Sequence, residues 1–333
     1  MVNRSALRSA IAIGALAGIA MAVSPGAQAD QIFSGTLYFT HFNGGENVWS
    51  VPYSYDQTTH VVTMGATTGI AAVNGADGII FDANGHLLVG GQGADQIHML
   101  NPTTGATVAT AILPDQSYHL ALAPGGGTVY TSNFGGPLEA APLTPSGFGT
   151  PVTISPVTGS TTGVTQLAFL NGNVYYDNSN PNCCGTFGLI NLTTHVTTQL
   201  GSGQAVHGMI IDPFTNLITF FGDGFTATYD PTTGMYKQSP SQFNADFDQG
   251  AVDGAGHALV AGNNEVTFLD YSISHDITHP DRVFIETDPN FAAIDDVAPL
   301  AGLGSGPPSS VPEPGTLALL ATGLVALLRR RRR

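Results

Sequence analysis

The stretch that decides the fold runs Asp77-Gly78-Ile79-Ile80-Phe81-Asp82-Ala83-Asn84-Gly85-His86-Leu87-Leu88-Val89, with Asn101-Pro102-Thr103-Thr104-Gly105 after it. A short apolar run, a Gly/Asn turn and a second β-rich run read as a hairpin. The closing tetrad reads as a tight turn: Asn at its first position can cap its own turn, Pro suits the next, and the Gly that follows tolerates positive φ.

Working outward, the same turn returns as Asp56-Gln57-Thr58-Thr59, Asn191-Leu192-Thr193-Thr194 and Asp230-Pro231-Thr232-Thr233, each followed by Gly or His. Weaker copies stand at Thr144-Pro145-Ser146-Gly147 and after Asp270. The six anchors, at 56, 101, 144, 191, 230 and 270, are spaced by 45, 43, 47, 39 and 40 residues, and a period of that length marks a repeat architecture.

A second series precedes each tetrad from the second onward: 78–82, 119–122, 166–169, 208–212 and 249–253, with a final copy at 296–298. Strand, turn, strand, loop, strand, tetrad, strand is one blade of a β-propeller, and residues 31–303 hold six such units of about 45 residues. The last short strand has no tetrad after it, and the first tetrad lacks a strand of this series before it. The C-terminal strand therefore completes the first blade, which closes the ring and removes exposed sheet edges. The competing fold is a parallel β-helix, whose repeat is normally shorter.

Composition agrees. The 333 residues include 42 Gly and 21 Pro but only 10% charged side chains, which suits many short strands and turns and excludes a coiled coil or a helical DNA-binding domain. Of the nine Lys and Arg, Arg4, Arg8 and Arg329 to Arg333 lie at the ends, leaving Lys237 and Arg282. Residues 30–311 thus hold two basic against 23 acidic side chains, a net charge of −21, and such a body repels nucleic acid and anionic lipid.

The ends read as addresses. Residues 1–29 form a signal peptide: Arg4 and Arg8, an apolar stretch from Ala10 to Val23, and a small-x-small cleavage site at Ala27-Gln28-Ala29. At the other end a Gly/Pro/Ser linker over 304–311 leads to Pro312-Glu313-Pro314, an apolar run over 315–328 and five arginines. As a helix that run reaches about 21 Å, enough to anchor the chain with local thinning and with the arginines cytoplasmic.

The tail at 312–333 resembles the PEP-CTERM sorting signals of Gram-negative bacteria, with Pro312, Glu313 and Pro314 as the motif. The resemblance implies processing by signal peptidase and an exosortase, a transient inner-membrane anchor at 315–328, and delivery to the envelope, outer surface or extracellular matrix beside exopolysaccharide. The body, taken as 30–303, resembles gluconolactonase-like, NHL-type and streptogramin-lyase propellers on its blade motif. That motif implies fold and carries no catalytic information.

In this register the inner strands begin at Asp77, at Tyr118 with His119, at Thr165 with Gln166, at His207, at Asp248, and at Asp295 with Asp296. Asp77, Asp248, Asp295 and Asp296 are the candidate ligands for Ca²⁺ or another divalent metal in the channel. His119 and His207 are weak candidates for a general base, should the protein be a metal-dependent lactonase or lyase. The chain has no G-x-S-x-G, H-E-x-x-H or P-loop, so the favoured expectation is a non-catalytic binding or structural protein. Asp95, Asp223 and Asn263-Asn264-Glu265 read as turn chemistry. Adjacent Cys183 and Cys184 are expected to form a vicinal disulfide that stiffens a loop tip, with an intermolecular crosslink or two reduced thiols as alternatives.

Overall fold

The computed structural model describes residues 32–298, apart from 42–46, 93, 134–135, 155, 181–183, 241–242 and 244–245. The signal peptide, the linker and the tail expected from the sequence therefore lie outside the described residues. So does the apolar run over 315–328; among the described residues no helix is long and apolar enough to cross a membrane.

Six sheets follow one another along the chain. In the second blade, Ala76–Phe81, Leu87–Gly91, Gln96–Leu100 and Thr107–Ile112 pair in sequence order, each antiparallel to the next. The inner strands of the third to sixth blades are His119–Leu122, Gln166–Leu170, Gly208–Asp212 and Phe247–Val252. In the first blade the inner position belongs to Ile294–Ala298, which pairs antiparallel with Ile32–His41. Each inner strand touches the next, and Ile294–Ala298 touches both Phe247–Val252 and Ala76–Phe81, so the ring is closed. The parallel β-helix is thereby excluded: the one parallel pairing among the described residues is Thr158–Gly159 lying along Val196–Gly203 at the outer edge of the fourth blade.

The turns obey the chemistry read from the tetrads. Asp56 Oδ1 accepts the amides of Thr58 and Thr59, and Asn101 and Asn191 cap their threonines in the same way. The residue after each tetrad adopts positive φ: His60 at 59°, Gly105 at 69°, His195 at 58° and Gly234 at 74°. Its amide bonds the carbonyl four residues back. The two weaker copies differ. Thr144 to Gly147 closes a short hairpin through Thr144 Oγ1 and the Gly147 carbonyl, and the loop after Asp270 extends to Arg282, where the outer strand begins.

Packing follows from strand alternation with both faces covered. Along His257–Gly262, Ala258 and Val260 join the seam with the fifth blade, while Leu259 and Ala261 join the seam with the first. Every seam between blades carries its own buried apolar cluster. At the axis the strands approach too closely for side chains. A Cβ at Gly78 would lie 2.0 Å from the Tyr118 carbonyl oxygen, and one at Gly208 would lie 2.5 Å from that of Asp248.

Because Ile294–Ala298 fills an inner position that no other segment supplies, a chain ending at Ala293 should lose cooperative unfolding, whereas one ending at Leu303 keeps it. The loss of a central strand exceeds the roughly 5–15 kcal/mol that holds a domain folded. Thermal denaturation followed by circular dichroism checks this; an unchanged melt for the shorter chain would refute ring closure as the stabilising event.

Candidate functional site

The site is built by three bulges at equivalent places. Asp77 and Gly78 together oppose Gly90, Asp248 and Gln249 oppose Ala261, and Asp295 and Asp296 oppose Thr40. A bulge sets two residues against one and re-aims their side chains. Here each falls at the start of an inner strand and delivers carboxylates to the same end of the channel.

Three ligand-type side chains meet there. Asp77, His119 and Asp296 each offer an atom within 4.8 Å of the other two, and they are 3%, 3% and 0% exposed. His119 Nδ1 lies 3.4 Å from Asp296 Oδ2. Thr40 fastens the group from the neighbouring strand: its hydroxyl donates to the Asp77 carbonyl at 2.7 Å and accepts the Asp296 amide at 3.1 Å. Beside the trio, Asp248 and Asp295 are hydrogen-bonded to each other.

The electrostatics are lopsided. Burial, reinforced by Asp295 and Asp296, pushes the Asp77 carboxyl well above its ordinary range. Burial does the same to Asp248 with help from Asp296, and to Asp295 with help from Asp248 and Asp296. Burial also raises Asp177, on the second strand of the fourth blade, to about 7, although nearby His119 opposes this. Burial pulls the His119 imidazole down, but Asp296, Asp77 and Asp177 overcome it and lift it to about 9. Lys237 and Arg282, the two Lys or Arg side chains among the described residues, are held elsewhere by Asp276 and Asp270. Asp296 Oδ1, Asp295 Oδ2 and Asp177 Oδ1 are buried without a hydrogen-bond partner. Buried carboxylates in excess, three of their oxygens without a hydrogen-bond partner, form around Asp77, His119 and Asp296 an arrangement that could hold a divalent cation.

The remaining channel residues are structural or lie apart. Gln166 Nε2 donates to Gln249 Oε1 at 2.9 Å while Gln166 Oε1 accepts the Met209 amide, which ties the fourth, fifth and sixth blades across the axis. His207 stands away from the trio, 3.7 Å from Asp246, and burial lowers its imidazole. Cys184 is exposed at the base of a hairpin tip and is disulfide-bonded; Cys183 lies outside the described residues.

Of the sequence candidates, the structure brings the candidate base His119 together with the candidate ligands Asp77 and Asp296 and leaves His207 outside the group. Asp177, Thr40 and Gln249 were not anticipated. Asp177 falls mid-strand in Asn173–Asn180, where the alternation pattern shows only that its side chain faces one side of the sheet. Nothing local marks that side as lying near His119.

The two parts of the chain find different relatives. Residues 310–333 match the PEP-CTERM protein-sorting motif. No curated protein matches the chain in sequence. In structure, the body is similar to a chain of the nidogen/laminin complex, at 12% identity and a TM-score of 0.57 over 80% of this chain and 98% of that one. It is similar also to the periplasmic gluconolactonase of Pseudomonas aeruginosa, at 11% identity and a TM-score of 0.54 over 80% and 98%. The virginiamycin B lyase of Staphylococcus aureus matches at 11% identity and a TM-score of 0.48 over 78% and 89%. At these identities the likeness is one of fold. The chain is a six-bladed β-propeller with a PEP-CTERM sorting motif at residues 310–333, which implies export and exosortase sorting to the cell envelope or surface.

Proposed function

We propose that the protein is an envelope or matrix propeller that binds a divalent cation at the end of its channel where the inner strands begin, and that it serves there as a binding or structural protein. The convergence of Asp77, His119 and Asp296 carries this reading. They come from the second, third and first blades, so an ion between them would pin the ring next to its closure. Carboxylate oxygens predominate, which suits Ca²⁺, while the imidazole also admits Mn²⁺ or Zn²⁺. Exopolysaccharide or another matrix component is the partner class this placement favours.

The second reading is a metal-dependent lactonase or lyase. It is favoured by the ligand distances and by the gluconolactonase likeness in fold. Against it stands burial: a catalytic ion keeps an open position for water or substrate, and side chains at most 3% exposed leave little room for one.

Two measurements test the proposal. Protein stripped of metal should gain several degrees in melting temperature on addition of saturating Ca²⁺ or Mn²⁺, by mass action on the folded state, and Asp296→Asn should abolish the gain. No response to any divalent cation would sink the cation site. Cation-dependent opening of simple lactones by the native chain, lost in Asp296→Asn, would instead establish the enzyme. The sorting half is tested separately: intact mass of the surface form should show a chain that begins at Asp30 and lacks Arg329 to Arg333, and recovery of the whole tail would contradict exosortase processing.

A further inference from the structure

The directions of the strands give the propeller two unlike ends, and the chain enters and leaves by the one that lacks the channel site. Inner strands begin at the channel end, where Asp77 stands at the start of Ala76–Phe81 and Asp295 and Asp296 at the start of Ile294–Ala298. Ile294–Ala298 runs away from that end: Ile294 pairs with His41 and Ala298 with Tyr38. The same partner strand locates the far end, because Ile32 pairs with Asp56, the first residue of a tetrad. The second blade agrees, since Leu100, the residue before its tetrad, pairs with Leu87 just past the hairpin turn that Asp82 caps. The far end is thus the tetrad end. Ile32 begins there, and Ala298 points toward it.

Chain length makes this polarity matter. Residues 299–311 separate Ala298 from Pro312 of the sorting motif. Thirteen residues span at most about 45 Å even when fully extended. To turn the channel end toward a surface that holds Pro312, this segment must cross the tetrad end to the rim and then climb the side of a blade. With strands about 4.8 Å apart, the outer edge of a four-stranded blade lies about 15 Å from its inner strand, and a strand of six to eight residues climbs about 20–27 Å more. Side chains lengthen the path further. The inverted arrangement therefore uses nearly the whole contour and removes the segment's conformational freedom, whereas the arrangement with the tetrad end toward that surface costs none of it.

The two ends also differ in relief. At the tetrad end the turns are tight and present Thr58, Thr103, Thr193 and Thr232 to solvent. At the channel end the fourth blade projects. Its inner strand starts at Gln166, opposite Asp177, but Asn173–Asn180 and Cys184–Asn191 stay paired as far as Asn180 and Cys184, about 10 Å farther out. Val196–Gly203 follows them, with Gly203 opposite Gly185. A three-stranded ridge thus stands beside the end of the channel that holds Asp77, His119 and Asp296.

We propose that the chain, while its tail holds it, stands with the tetrad end toward the bilayer and the channel end facing away, so that the ridge of the fourth blade and the channel site form the surface offered to a partner outside. This rests on the sorting reading of residues 312–333, with 315–328 as the anchor, and adds a direction to it. The bilayer is faced by the tetrad end and not gripped by it, since a body of net charge −21 has no attraction for lipid phosphates. The tether sets the orientation.

The test places a fluorescent donor at one end or the other of the chain from Asp30 to Arg333, its disulfide left oxidised, and reads energy transfer to a headgroup-attached acceptor in phosphatidylcholine vesicles. Thr103→Cys carries the donor at the tetrad end. Asn264→Cys carries it at the channel end, in the turn between His257–Gly262 and Glu265–Asp270, and both positions are exposed. The two lie about 25 Å apart along the strand direction, so transfer from position 103 should exceed that from 264 about twofold or more. Vesicle-bound chains that transfer equally from both positions, or more strongly from 264, overturn the orientation while leaving the tail its role. Chains that do not float with the vesicles overturn the anchor, and the orientation falls with it.

Discussion

The antiparallel pairing of Ile294–Ala298 with Ile32–His41 is the contact on which the other features rest. Each blade buries its two faces only against its neighbours, so the seam clusters form a circle and none is complete unless the circle closes. That closure joins residues about 250 positions apart, and its loop-closure entropy must be met before the last two seams can form. Thr40 shows how tightly it is made: one hydroxyl bonds the inner strands of the first and second blades together.

The same closure creates the electrostatic problem at the axis. Inner strands packed too closely for Cβ atoms force their first residues to project along the channel, and in three strands a bulge turns aspartates into that space. A chain selected only for stability would place small polar groups there, as it does with Gln166 and Gln249. Holding Asp77, Asp248, Asp295 and Asp296 together instead costs folding energy unless a cation offsets their repulsion. At the opposite end of the propeller, Asp82 and Asp253 each cap a hairpin and hold the histidine four residues on, His86 and His257.

Export gives this pattern a context. The sorting motif implies delivery to the envelope or surface of a body whose residues 30–311 hold 23 acidic side chains against two basic ones, a net charge of −21 that favours solubility.

Much of this was legible from residue order. The Asp56, Asn101, Asn191 and Asp230 tetrads fix their own turns through contacts two to four residues away, so the repeat, the blade count and the closure by the final strand follow from local chemistry. The sorting tail is likewise a linear signal. The starts of the inner strands, and hence Asp77, His119, Asp248, Asp295 and Asp296 as channel residues, could be placed by the period alone. Which of these meet was decided only by the fold, because the bulges at 77–78, 248–249 and 295–296 shift register by one residue and no turn signal announces them. Asp177 was hidden for a related reason: it is a polar residue within a strand, and its burial depends on which neighbouring blade covers that face. Short-range hydrogen bonds determine the repeat; the packing of one blade against the next, and of the last strand against the first, determines where charge is trapped.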